Sequence, residues 1–252
     1  MKYNETKNFE KHWRNIFKNQ QSDFRESTLI KLIEKQLQPG SVLDAGCGSG
    51  YFSHQLLMAG YDVSAFDQSE EMIDMARNYF QKLNLDADCL KQESLQDLDP
   101  QEHGQFDNVI CSDVLEHIED DYEAYTHLVS VLKPGGTAVI SVPALPSLYG
   151  PKDKKIGHYR RYSKSSFSKL LLSGHVQIEK MRYWNFTGVI PTYYAVKVFK
   201  RAIDESFRYD NRSWFKSTIN SVLRNMLFVE NLVQFPIGLT LIAVVKKESI
   251  DS

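Results

Sequence analysis

Val42-Leu43-Asp44-Ala45-Gly46-Cys47-Gly48-Ser49-Gly50 runs from a short apolar segment into glycines at alternate positions. Tyr51-Phe52-Ser53-His54-Gln55-Leu56-Leu57-Met58 follows, with its apolar residues at helical spacing. The stretch reads as strand, glycine turn and helix. Glycine at 46, 48 and 50 opens backbone dihedrals closed to other residues and removes Cβ atoms, so a ligand can lie against the main chain at a helix N-terminus.

The neighbouring residues narrow the ligand. A dinucleotide fingerprint, G-x-G-x-x-G counted from Gly46, would need glycine where Tyr51 stands, and a phosphate loop would need a Gly-Lys-Ser/Thr that is absent. Asp44 sits just before the turn, where a carboxylate disfavours pyrophosphate and suits a cationic amino group. An adenosyl amino acid fits better than a dinucleotide. The stretch resembles motif I of the class I S-adenosylmethionine-dependent methyltransferases, whose glycine turn holds the methionine part of the cofactor.

The strand order continues this reading. Ala59-Gly60 ends the helix, and a second strand, Tyr61 to Phe66, runs into Asp67, 17 residues past Gly50. A carboxylate there can accept both ribose hydroxyls of an adenosine, by the same geometry as in dinucleotide folds. Gln68 follows it. Ser69 caps the next helix, with Glu70 and Glu71 in its first turn, and Met72 is expected against the adenine or in the core. A third strand is read at 87–91, a fourth from Phe106 to Ile118 running into a loop and helix, and a fifth from Thr137 to Val142 after Leu132-Lys133-Pro134-Gly135-Gly136. The resemblance covers residues 41–142. It implies that Glu93 and Ser94 serve the adenine edge and that Asp113 and His117, after strand four, lie at or below the cofactor.

Strands alternating with helices predict an α/β fold: a Rossmann-like, doubly wound, seven-stranded and mostly parallel sheet. Its sixth strand is expected near 176–183 and an antiparallel last strand at 238–245, with N-terminal helices and a helical insertion before the last strand. The whole, 1–252, is read as a single methyltransferase domain. It divides into an N-terminal helical cover at 1–40, a cofactor core at 41–142, and a substrate loop with strand six at 143–185. The insertion at 186–235 and the last strand and tail at 236–252 complete it. Within the cover, Phe9, Trp13, Ile16 and Phe17 mark one helix, and Leu29, Ile30, Leu32, Ile33 and Leu37 a second. Arg25, 19 residues before Asp44, lies close to where quinone-biosynthesis O-methyltransferases have an arginine that holds the cofactor carboxylate; an exposed helix arginine is the other reading.

Composition sets bounds. Cys47, Cys89 and Cys111 are far apart and suggest neither a disulfide framework nor a zinc spacing, so a reducing, cytoplasmic setting is expected. No leader-like apolar segment opens the chain and no uncharged run is long enough to span a bilayer. Charge is uneven: residues 1–151 carry 12 Lys+Arg against 24 Asp+Glu, residues 152–252 carry 18 against 8. The basic half suits an anionic acceptor or an anionic membrane surface, or is simply a solvated face.

Chemistry at such a site requires the acceptor, methyl carbon and sulfur near a line, water excluded and, for a hydroxyl acceptor, a proton removed. Ile156-Gly157-His158-Tyr159-Arg160-Arg161-Tyr162-Ser163 resembles the segment after strand five in small-molecule methyltransferases, and quinone methyltransferases have a histidine in a similar place. His158 is the candidate base or orienting group, Arg161 the candidate anion holder, and Tyr162 completes the candidate catalytic set. Asp113, Glu116, His117 and His158 offer oxygen and imidazole donors, yet this pattern is common in methyltransferases without a metal, and none is expected here. The expected function is methyl transfer from S-adenosylmethionine to a small-molecule or lipid-linked acceptor, at oxygen. The alternatives are a nucleic-acid methyltransferase, against which Cys111-Ser112-Asp113-Val114 stands where Asn/Asp-Pro-Pro-Tyr/Phe would, and a cofactor-binding protein without catalysis. Nucleic acid is not expected as a partner. Peripheral membrane contact is assigned, if anywhere, to the insertion, where Lys197, Lys200, Arg201, Arg208, Arg212, Lys216 and Arg224 accompany apolar residues at helical spacing.

Overall fold

The computed structural model describes residues 24–200 and 214–248. Helix α1 (Phe24–Glu34) precedes strand β1 (Ser41–Ala45); α2 (Tyr51–Met58), β2 (Asp62–Asp67), α3 (Glu70–Lys82), β3 (Leu90–Gln92) and β4 (Phe106–Ser112) follow. Then come α4 (Asp121–Ser130), β5 (Leu132–Pro143), α5 (Lys164–Leu172), β6 (Val176–Trp184), α6 (Trp214–Leu232) and β7 (Thr240–Lys247). The seven strands form one sheet in the order β3-β2-β1-β4-β5-β7-β6, parallel except for β7, which runs antiparallel to both neighbours.

Alternation along each strand sends side chains to two cores. Leu43, Ala45, Val109, Cys111, Ala138, Ile140, Leu241 and Ala243 face one, with Ala124, Leu128, Phe167 and Leu171 from α4 and α5. Val42, Ile110, Val139, Ile242 and Val244 face the other, with α1, α3 and Leu227 of α6. Both faces being covered, the central strands are apolar almost throughout, as parallel sheets require. The helices begin where their caps predict. The Ser69 hydroxyl accepts from Met72 N, and the Asp120 carboxylate from Glu123 N at 3.0 Å.

Three boundaries differ from the sequence reading. The third strand is shorter and later, β3 starting at Leu90 because Leu85 and Ala87 pack against the core from the preceding loop. β5 begins at Leu132, not Thr137: Leu132 already pairs with Phe106, and an irregularity between Phe106 and Asn108, beside Gly135 with φ +72°, absorbs the extra residues. The last strand runs from Thr240 to Lys247, two residues beyond the expected end. The helix read from Phe9 to Phe17 and the basic residues Arg201, Arg208 and Arg212 lie outside the described residues. Within the insertion, a short helix (Val189–Tyr193) continues into a wider turn (Tyr194–Val198), and α6 returns the chain to the sheet. Glu230 pins that return, its carboxylate accepting from the backbone N–H groups of Phe186 and Thr187 at 2.7 and 3.1 Å.

Candidate functional site

The carboxyl ends of β1, β2, β4 and β5 share one edge of the sheet, the crevice where open α/β sheets bind ligands. At its β1–β2 end the glycine turn is fixed by its own backbone. Gly46 N and Cys47 N both donate to Phe66 O at 2.8 Å. Gly46 has φ +77°, and a Cβ there would stand 2.4 Å from Val114 Cγ2; Gly48 has φ +52° and nothing within 4 Å of where its Cβ would be. The first glycine is therefore needed for packing, whereas the second leaves open space beside the main chain. Gly50, at φ +77°, starts α2 and packs close to Ala76.

Asp67 holds the turn together. Its Oδ2 accepts from Gly48 N and its Oδ1 from Ser69 N, both at 2.9 Å. Burial raises its pKa and the two backbone donors oppose that rise. Each oxygen keeps a further lone pair for a hydroxyl. Asp44 is 3% exposed and accepts from the Ser53 hydroxyl at 2.6 Å; burial pushes its pKa up to about 6, against the pull of Ser53. A buried carboxylate so reluctant to ionise is a place for a cationic group. The open turn, the bidentate acceptor and the buried carboxylate together fit an adenosyl amino acid bearing an ammonium and a ribose.

The remaining expected cofactor residues are distributed less simply. Arg25 projects from α1 over the strand ends, its Nη2 donating to Asp113 Oδ2 at 2.9 Å and to Thr240 Oγ1 at 3.3 Å, with its guanidinium 5.7 Å from the Trp184 ring centroid. It is thus engaged with Asp113, a residue at φ +56°, as well as lying at the crevice. Glu93 is paired with His103 Nε2, and the Ser94 hydroxyl accepts from Gln96 N at 3.4 Å to cap a single turn. Gln68 is half-buried, and its carbonyl accepts from Gln92 Nε2 at 3.4 Å. Met72 is 0% exposed and takes the second of its two expected places, in the core beneath the first turn of α3.

At the β4–β5 end the chain gathers a second group. Glu116 and His117 follow β4 in a single helical turn, and His158 returns to them from the loop after β5. His158 Nε2 lies 3.7 Å from Glu116 Oε1, and the two imidazoles meet edge to face with centroids 4.6 Å apart. On its other side His158 Nδ1 is 3.1 Å from Asp153 Oδ1, which also accepts from Arg161 Nε at 2.8 Å. Burial pushes the Asp153 carboxyl up, but His158 and Arg161 more than offset it, and it sits below its ordinary value. Glu116 is pushed well above the usual carboxylate range by burial, then by Asp113; burial and then His158 lower His117 to about 3. Neither Glu116 oxygen receives a hydrogen bond.

Two expected catalytic residues are engaged within the loop. Tyr162 is buried, its hydroxyl donates to Asp121 Oδ2 at 2.7 Å, and its backbone extends β5 through Ala144. Arg161 donates to Asp153 and to Ala144 O, the latter at 3.1 Å, and so ties the loop to the end of β5. Arg160 is likewise bound to Asp121 and Glu119 O. These contacts tie the loop to β5 and α4. Sequence reasoning missed Asp153, Ser53 and Thr240; each becomes relevant only through a long-range or packing contact that no local pattern announces.

Comparison with known proteins accords with this arrangement. Residues 43–140 match a family described as a methyltransferase domain. The chain is 30% identical over 166 residues to the ubiquinone biosynthesis O-methyltransferase of Rickettsia bellii, covering 61% of this chain and 68% of that protein. The enzyme of the same name from Xanthomonas campestris is 36% identical over 104 residues, 41% of this chain and 43% of its own length. The fold is shared with an S-adenosylmethionine-dependent methyltransferase from Clostridium acetobutylicum, at TM-score 0.58 and 16% identity, covering 90% of this chain and 93% of that one. By these matches the chain belongs to the class I S-adenosylmethionine-dependent methyltransferases and is an enzyme of methyl transfer with that cofactor.

Proposed function

We propose that the acceptor is a small molecule methylated at oxygen, with a polar head at the Glu116–His117–His158 group and an apolar remainder toward the insertion. The observation that carries this reading is the division of one sheet edge: glycine turn, Asp44 and Asp67 at the β1–β2 end, the histidine group at the β4–β5 end. The names of the Rickettsia and Xanthomonas relatives favour oxygen and a quinone-type acceptor.

S-adenosylmethionine supplies a methyl group already activated on a sulfonium. Asp44 would hold its ammonium, Asp67 the ribose hydroxyls and Arg25 its carboxylate, and Gly48 would leave the main chain open to the methionine part. The acceptor hydroxyl would give its proton to His158 as the methyl group passes from the cofactor to its oxygen. His158, held by Asp153, orients that oxygen.

The insertion supplies the apolar side. Phe199, Phe228 and Leu232 are 58%, 55% and 70% exposed, with Ile190, Val222 and Val229 also in solvent and Lys197, Lys200 and Arg224 among them. Among the described residues no helix is long and apolar enough to cross a membrane. Such a face, apolar and basic, suits an elongated acceptor with an anionic head or peripheral contact with an anionic bilayer. The test is an acceptor panel with mass-spectrometric detection: catechols with and without an isoprenoid tail, small polar hydroxyl compounds, and RNA. Methylation of the tailed catechols at oxygen is expected; methylation confined to small polar compounds or to RNA would overturn the proposal.

A further inference from the structure

We propose that His103 is a positioning residue for the base of the cofactor: it holds the Glu93 carboxylate toward the adenine amino group and so sets the preference for adenine. The inference rests on the cofactor and is independent of the proposed acceptor.

The sheet order places the base. The glycine turn follows β1 and Asp67 ends β2, with β3 on the far side of β2 from β1. An adenosyl amino acid runs from amino acid through ribose to base. With its ammonium at Asp44 and its ribose at Asp67, the base continues toward the end of β3. Glu93 stands there: Gln92 pairs with Asp67 in the sheet, and Glu93 N donates to Asp67 O at 3.0 Å.

The chain then folds back to fix that side chain. Leu95 and Leu98 are buried, and the Asp99 carboxylate caps a single helical turn by accepting from Gln101 N at 2.8 Å. His103, at the end of that turn, brings Nε2 to Glu93 Oε1, and the two side chains are only 16% and 19% exposed. The imidazole is itself held, its Nδ1 lying 3.1 Å from Asp99 N and 2.9 Å from Asp99 O. An ionised carboxylate only accepts, so Nε2 carries the hydrogen. In the neutral ring Nδ1 accepts from Asp99 N–H; in the charged ring it donates to Asp99 O. Both forms keep the link to Glu93. Burial alone would lower the His103 pKa, but the Asp99 backbone, then Glu93 and Glu102, outweigh burial and hold it above its ordinary value.

With Oε1 taken by His103, Glu93 Oε2 keeps lone pairs for an N–H of the adenine amino group. A glutamate already tied at one oxygen need not be ordered by the ligand, which lowers the cost of binding. A purine without the amino group offers this carboxylate no donor.

The test is calorimetry on the full chain with two probes, S-adenosylhomocysteine and its analogue carrying unsubstituted purine in place of adenine. The wild type should bind the adenine compound at least about tenfold more tightly, the scale of a hydrogen bond to a charged group. Glu93→Ala should abolish that preference. His103→Ala should cut it by at least about threefold, the cost of ordering one freed side chain, with affinity for the purine compound unchanged. His103→Gln can set an N–H near the place of Nε2 and should restore most of the preference, whereas His103→Asn, reaching only the place of Nδ1, should not. Those two variants carry the test if His103→Ala does not fold. Equal wild-type affinity for the two probes, equal loss of both in His103→Ala, or the same preference in His103→Gln and His103→Asn would overturn the proposal.

Discussion

The two ends of the crevice are built by different means. At the β1–β2 end the backbone does most of the holding: glycine dihedrals, carbonyls of β2 and N–H groups shared with Asp67. At the β4–β5 end side chains from distant segments hold one another, Asp153 to His158 and Arg161, Tyr162 to Asp121. A backbone-built site tolerates little change of residue type but is written in a few consecutive letters. A side-chain-built site can be retuned without touching the fold, and this is the end proposed for the acceptor.

The contrast is broken most severely at His158. His158→Gln should lower turnover by about 10²–10⁴ while cofactor affinity stays nearly constant, as steady-state rates and calorimetry on the same preparation will report. Asp67→Ala should do the converse. Hydrogen bonds to a charged group are worth about 1.5–3 kcal/mol each, so cofactor binding should weaken by at least about tenfold. If Asp67→Ala left calorimetric affinity unchanged in a folded chain, the ribose role would be wrong.

Acidity sharpens the comparison. The Asp44 carboxyl, raised by burial to about 6, is protonated more readily in the folded free protein than in the unfolded chain. Folding of the free protein therefore gains stability as pH falls through about 6, whereas capture of a cationic ammonium needs the ionised form and loses affinity over the same range. Cofactor affinity should fall up to about tenfold per pH unit below 6. Asp44→Asn should bind weakly at all pH values and lack this dependence, which a calorimetric pH series will reveal.

The smallest effect on folding is expected at the insertion. Phe228→Glu and Leu232→Glu alter exposed positions and should change stability by no more than about 0.5 kcal/mol. They should nevertheless reduce co-sedimentation with anionic vesicles at low salt, an attraction that screening over about 8–10 Å weakens near physiological ionic strength. Absence of wild-type sedimentation at low salt would remove membrane contact and leave the apolar acceptor as the use of that face.

Legibility in the sequence follows the same division. Glycines 46, 48 and 50, Asp67 and the alternation of apolar residues act over a few positions, so the turn, the succession of strands and helices and the two covered faces could be read directly. The β5 start could not, because Pro134-Gly135-Gly136 has the chemistry of a turn and only pairing of Leu132 with Phe106 makes it strand. The surroundings of Arg161 and Tyr162 were illegible for a related reason: their residue types suit a ligand, but the partners Asp153 and Asp121, distant in the local pattern, decide where they point. Asp153 itself carried no signal. An acidic residue in the first turn after Pro151 reads as a helix-end charge, and its burial against His158 depends on the whole loop.

The central claim is methyl transfer to oxygen on an acceptor held at the β4–β5 end. Its most direct test is incubation of the protein with methyl-labelled S-adenosylmethionine and a tailed catechol, followed by mass spectrometry of both products. One labelled O-methyl group per demethylated cofactor is predicted, with product formation falling at least about a hundredfold in His158→Gln. Cofactor binding without labelled product, or labelled product formed equally well by His158→Gln, would contradict it.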